Sequence, residues 1–237
     1  LPICREMAEA LRQIEAHKPK VIGVDCVFVG LKEDTLGDVM IRNVAAEYDN
    51  IVFSFRLHDY VNDSIGYQVA DRSFFTEELE NVNQGFTNMQ LSMYGNISRV
   101  VSYGRPFQGK MEPSFIAKVV NRAMPDTPDL PLVNRDANIN FAPTSFTVIP
   151  PDSINEYGDL IKDKVVLFGA MYDEYDMHFT PLGKMAGVEL LAYAGQTLGL
   201  PNRVIFWRVR MPACRQGILA GTVLAFARAL GEYGATS

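Results

Sequence analysis

Three short, almost wholly apolar runs constrain the fold of this chain more than any other feature: KVIGVDCVFV (20–29), IVFSFRL (51–57) and KDKVVLFGA (162–170). Each is rich in Val, Ile or Phe, bounded by Pro, Gly or charged residues, and too short for a helix. Such runs are the pattern of strands buried on both faces of a parallel sheet. Helical patterns alternate with them. CREMAEALRQIEAHKP (4–19) places Met7, Leu11 and Ile14 on one stripe and is stopped by Pro19. DTLGDVMIRNVAAEYDN (34–50) reads as a second helix, and VELLAYAGQTL (188–198) follows the third strand as another. The expectation is an α/β fold, a mixed, largely parallel sheet flanked by helices with right-handed crossovers, and a C-terminal helical tail.

The middle of the chain is less regular. GFTNM (85–89), SRVVSYGRPF (98–107) and SFTVIPP (145–151) read as short strands, and EPSFIAKVVNRAM (112–124) as a helix. TPDLPLVNRDANINFAP (127–143) is a proline-bearing loop entering a strand, and MYDEYDMHFTPLGKMAG (171–187) a long polar loop. No internal repeat or low-complexity segment interrupts residues 1–197, which read as one domain, with 198–237 as an appendage.

Charge separates the same two parts. Residues 199–237 carry Arg203, Arg208, Arg210, Arg215 and Arg228 against Glu232, a net of +4, which leaves about -10 of the chain's net -6 on the body. An acidic body has no basic face for phosphates, so nucleic acid is not an expected partner. Cys4, Cys26 and Cys214 are scattered and lack metal-ligand spacing, so neither a disulfide framework nor a zinc site is expected. The chain opens Leu1-Pro2 with no signal peptide, as expected of a piece of a longer protein.

Chemistry-bearing residues gather after the strands. Asp25 follows the first apolar run, and Asp173, Glu174, Asp176 and His178 follow the third. Neighbouring parallel strands would bring these to one crevice at the carboxyl edge of the sheet. Three readings are open: a hard-cation site of carboxylates, general acid/base work by a carboxylate pair, or short acids that cap a helix and satisfy loop amides. Glu189 fits a first-turn acid complementing a helix dipole. No phosphate loop, dinucleotide fingerprint, nucleophile elbow or zinc-binding helix is present, and no cofactor or metal is expected.

HKPKVIGVDCVF, the acids before a helix in EDTLGDVMI, the strand NIVFSF and, above all, KVVLFGAMYDEYDMHFTPLGKMAGVELLAYAGQTL resemble the second class of CHASE sensory domain (cyclase- and histidine-kinase-associated sensory extracellular domain). The resemblance spans residues 1 to about 197. It implies a non-enzymatic, extracytoplasmic (periplasmic) input domain of a membrane-bound signalling protein, joined to the membrane by flanking helices. It also implies an unidentified small-molecule ligand and a possible homodimer. The family positions it carries over are Asp25, Asp38, Arg99, Asp176, Thr180, Pro181, Gly187 and Glu189. The family has a strand before the first helix that this sequence lacks, so a bare sheet edge is expected.

RQGILAGTVLAFARALGEYGATS (215–237) resembles the membrane permease of a molybdate- or sulfate-type ATP-binding-cassette importer. Gly199 is followed after nine residues by Val209-Arg210-Met211-Pro212, the spacing of the permease coupling loop, although Tyr193 and Gly195 stand where that motif has Glu and Ala. Two families meeting within a few residues imply a chimera or a fragment. Three functions follow: a sensory module, a transporter permease piece, or a carboxylate-dependent hydrolase.

Overall fold

The computed structural model describes residues 3–30, 35–91, 97–142, 146–171 and 176–199. The chain divides into two compact units, 1–141 with 145–199 and 142–144 with 200–237; the second falls almost wholly outside the described residues, as does the expected helical tail.

Helix α1 (Ile3–Ala16) leads into β1 (Val21–Val24), α2 (Thr35–Glu47) into β2 (Ile51–Asn62). Strand β4 (Asn83–Phe86) and, far along the chain, β10 (Val165–Phe168) complete a parallel core in the order β10-β1-β2-β4. Period-two alternation then divides the side chains between two helical layers. Ile22, Val24, Ile51 and Phe53 face α1 and α2, whereas Val21 and Val52 face α3 (Phe115–Ala123) and α5 (Gly187–Gly199). The sheet is thus buried on both sides, and this is why its strands read as unbroken apolar runs instead of alternating ones.

Close approach matters at β4. A Cβ on Gly85 would lie 2.4 Å from the Phe115 Cα, so a glycine is what lets the start of α3 rest on the strand. Ser114 caps that helix, its hydroxyl accepting from the Ala117 N–H at 3.2 Å.

The second half of β2 leaves these layers and forms an antiparallel hairpin with β3 (Gly66–Asp71), extended by β7 (Gly104–Phe107) and β8 (Lys110–Pro113). Arg72 ties the two halves together, its guanidinium 3.8 Å above the Phe55 ring and hydrogen-bonded to Gln84 at 3.2 Å. A small sheet of β5 (Gln90–Leu91), β6 (Ser98–Ser102) and β9 (Asp136–Asn138) and a hairpin of β11 (Met177–Thr180) and β12 (Gly183–Ala186) complete the unit. The α/β class with a mixed, mostly parallel sheet is therefore the observed one: four strand pairings of the main sheet are parallel and two antiparallel.

Three local expectations are corrected. The run 20–29 is a strand only to Val24, because its partners β10 and β2 pair with it no further than that residue. SFTVIPP forms no strand at 146–150; Pro150 and Pro151 lead instead into a 3-10 helix over Pro151–Tyr157. The polar stretch 171–187 contains the β11–β12 hairpin. Thr180 faces Gly183 across Pro181-Leu182, and the Thr180 hydroxyl donates to the Gly183 carbonyl at 2.8 Å and accepts from the Leu182 N–H at 3.2 Å. At the outer side of the sheet, β10 has β1 as its one partner among the described residues, and Val165 on it is 46% exposed.

Candidate functional site

Each core strand ends in a residue of different chemistry. Asp25 follows Val24 of β1, and its N–H donates to the Phe168 carbonyl of β10 at 2.8 Å, which holds the start of the turn against the neighbouring strand. Alternation from Val21 through Gly23 places Asp25 on the α3/α5 face. The same argument along β2 puts Ser54 and Arg56 on that face, level with the end of β1. Thr87, Asn88 and Met89 follow β4. Asn88 is committed to the backbone: its side-chain carbonyl accepts from the Leu57 N–H at 2.8 Å and its amide donates to the Leu57 carbonyl at 2.7 Å.

These ends open into a cavity of about 250 Å³ lined by Asp25, Arg56, Asn88, Asp176, His178 and Leu191, with Thr87, Met89 and Gly187. It lies where ligands of open α/β sheets bind, outside the carboxyl ends of the strands. Asp176 enters from the start of the β11–β12 hairpin and lies against Gly187, the first residue of α5. A Cβ on Gly187 would come 2.6 Å from one carboxylate oxygen and 2.7 Å from the other. A carboxylate at a helix N-terminus is favourably placed. His178 Nε2 is 3.7 Å from the Asp176 carboxylate and its Nδ1 is 3.4 Å from the Ser98 hydroxyl.

The electrostatics of Asp25 follow from this setting. Burial pushes its carboxyl up from the ordinary 3.8 to about 6, the Asp176 carboxylate pushes the same way, and Arg56, His178 and the Ser54 hydroxyl pull against them. Two carboxyls near one another in a half-closed crevice resist ionising together.

The remaining sequence-derived positions scatter. Asp38 is buried in the first turn of α2 and Glu189 half-buried in the first turn of α5, both placed to complement a helix dipole. Thr180 and Pro181 belong to the hairpin turn, and Arg99 is exposed on β6, where its backbone carbonyl accepts from Ile139. None of these lines the cavity. Asp173 and Glu174 lie outside the described residues. No group of three or more His, Cys, Asp or Glu side chains suited to a metal occurs among the described residues. Arg56 was not singled out in the sequence, yet a signal was present: it is the first charged residue of an otherwise apolar strand, at the point where that strand leaves the sheet core.

A second and larger cavity, about 610 Å³, lies on the hairpin side between Tyr60, Tyr67, Arg105, Arg135 and Asp136. Both of its cations are engaged: Arg105 donates to Asn134 at 2.8 Å and pairs with Asp136, and the Arg135 guanidinium lies 4.6 Å over the Tyr103 ring. The strand-end crevice is therefore the stronger candidate.

Comparisons with known proteins fall into two groups. Short stretches are similar to permeases: the molybdenum transport system permease protein ModB of Escherichia coli is 47% identical over 53 residues, 22% of this chain and 23% of that protein. ModB of Mycobacterium tuberculosis is 52% identical over 40 residues, 17% and 15% of the two chains. The sulfate transport system permease protein CysW of a Synechocystis strain is 50% identical over 44 residues, 19% and 16%. The chain thus spans less than a quarter of the permeases it matches. No solved structure matches it. The CHASE2 domain family matches residues 4–227, nearly the whole length, and the chain belongs to the CHASE2 domain family.

Proposed function

We propose that this chain is the extracytoplasmic input domain of a membrane-bound bacterial signalling protein and that it binds a small molecule in the crevice between Asp25 and Asp176. One observation carries the reading: a charged cavity sits where the parallel strands β1, β2 and β4 leave the sheet core, and its walls belong to separate elements that a ligand could draw together. Asp25 belongs to the sheet, while Asp176 and Gly187 belong to the hairpin and the start of α5. A ligand that touches both sides favours the closed arrangement only to the extent that it binds that arrangement better. Helix α5 then runs from the crevice to Gly199, from where the chain continues into residues 200–237, so the site and the exit of the domain share one helix.

The domain reading ends near residue 197, with 198–237 as a permease-like appendage, and membrane attachment is through flanking helices. Among the described residues no helix is long and apolar enough to cross a membrane. Working as a homodimer is part of the proposal, and sedimentation velocity tests it.

The decisive experiment is thermal unfolding of the full chain against metals, anions and metabolites. A ligand at a hundred times its Kd raises the midpoint by about 5–10 °C in a domain of this size. Absence of any shift, or a shift that survives Asp25→Asn undiminished, overturns the reading.

A second reading keeps one specific observation: a carboxyl pair with one member held at about 6 has the electrostatics of a general acid and its partner base. A carboxylate-dependent hydrolase would cleave model glycosides or esters and lose that activity in both Asp25→Asn and Asp176→Asn. Unchanged substrate after long incubation removes this reading.

A further inference from the structure

The crevice contains more than a pair of acids. Its acidic end holds Asp25 and Asp176, which repel one another. Arg56 lines the same cavity from β2, its side chain makes no hydrogen bond or ion pair among the described residues, and it is near enough for its charge to favour the Asp25 anion. The rest of the lining includes Met89 and the buried Leu191, the Asn88 amide locked onto Leu57, and His178, whose Nε2 lies 3.7 Å from the Asp176 carboxylate. The volume of about 250 Å³ corresponds to about eight waters at their liquid share.

We propose that the crevice binds a small zwitterion, an α-amino acid with a short side chain, its ammonium group between Asp25 and Asp176 and its carboxylate on Arg56. The inference rests on the reading that this crevice is the ligand site and adds the class of ligand. An ammonium group between the two carboxylates offsets both the burial and the Asp176 repulsion that disfavour the Asp25 anion. A guanidinium offers a carboxylate two parallel donors, a geometry that an isolated Lys could not supply. A short aliphatic side chain meets Met89 and Leu191, and anything much larger than eight heavy atoms overfills the space.

A bare metal ion would satisfy the acids but would gain nothing from Arg56 and would be repelled by it. A simple carboxylate would satisfy Arg56 and be repelled by the acids. Only a molecule carrying both charges uses both ends.

The test is calorimetric titration of the full chain with glycine, alanine, serine and the other α-amino acids, beside ethylamine, propionate and calcium as single-charge probes. The expected result is that at least one short amino acid binds, with ethylamine, propionate and calcium at least tenfold weaker. Arg56→Gln is expected to weaken the amino acid at least tenfold while leaving ethylamine unchanged, and Asp25→Asn to weaken both. Arg56 is exposed, so its substitution tests recognition without disturbing the core. Binding of a single-charge probe as tight as any amino acid overturns the zwitterion class and leaves the crevice as a ligand site. Amino-acid binding unaffected by Arg56→Gln also overturns it. If neither these compounds nor the wider thermal screen yields a ligand, the class and the site reading fall together.

Discussion

The two halves of β2 share one backbone but not one environment. From Ile51 to Phe55 every residue is buried, Ile51, Val52 and Phe53 between two layers of helix and Phe55 with Leu57 and Phe86, whereas from His58 to Asn62 every residue is exposed on the projecting hairpin. In the first half the partners are parallel strands β1 and β4; in the second the partner is the antiparallel β3. Arg56 and Leu57 form the border, the one exposed and the other buried. A charged side chain can enter a crevice here and nowhere earlier along the strand, because one residue further in it would have to be desolvated among Phe and Val. The location of the candidate site thus follows from where burial stops.

The sharpest way to break that contrast is to cut the buried half. Phe53 packs edge-on against Phe75 at 5.0 Å between ring centres and is 1% exposed, so Phe53→Ala is expected to cost about 3–5 kcal/mol, read from urea unfolding. A cost below about 1 kcal/mol would mean that the parallel half is not the core.

A smaller effect of opposite sign is expected at the border. Because the Asp25 carboxyl is raised to about 6 in the fold, the native state holds a proton that the unfolded chain has already lost between pH 3.8 and 6. The favourable contribution is complete below pH 3.8 and disappears as the pH rises through 6. Asp25→Asn is therefore expected to stabilise the unliganded chain by up to about 3 kcal/mol above pH 7, and to flatten its stability between pH 4 and 6. Stability that fell with decreasing pH across that window, by an amount that the Asn variant abolished, would contradict the raised value. A more stable variant that no longer responds to ligand is what a site held in an unfavourable charge state should give.

A Cβ at position 187 would push Asp176 away from α5, and a carboxylate can swing aside more cheaply than backbone can. Gly187→Ala should therefore cost only about 1 kcal/mol, while the Asp25 titration followed by carboxyl NMR moves down toward 3.8 as the repulsion weakens. An unmoved titration would show that Asp176 contributes nothing to it.

The smallest effect belongs to the exposed arm. Val61 is 55% exposed, and Val61→Ser should change stability by no more than about 0.5 kcal/mol. A loss comparable with that of Phe53→Ala would mean that the arm is covered in solution, and a concentration-dependent midpoint would then identify a second copy as the cover.

Much of the parallel core was legible because burial on both faces leaves a plain record: a strand such as VIGV can contain nothing polar, and helices with an apolar stripe must lie between such strands. Asp25 could be named for the same reason, as the first polar residue after its run, and Asp176 as one of the acids that follow the third run. The β11–β12 hairpin was harder to read, since MHFT alternates weakly and its pairing with GKMA depends on a turn whose hydroxyl bonds form only once Thr180 and Gly183 are opposite each other. The run DCVFV carries the composition of a strand yet pairs in no ladder among the described residues; its backbone groups are met singly, Asp25 by the Phe168 carbonyl and Phe28 by the Ser73 hydroxyl and the Phe74 N–H.

By itself the sequence determined the class of fold, the acidic body with its basic tail, and the acids that follow the strands, because each of these is local in composition or periodicity. Only the tertiary structure decided that Asp176 faces Asp25 while Asp38, Arg99 and Glu189 do not line the crevice, and that Arg56 joins the pair. That grouping comes from strand order and from helix α5 folding back over the sheet, and a chain's order in space is set by long-range packing that no single window of residues contains.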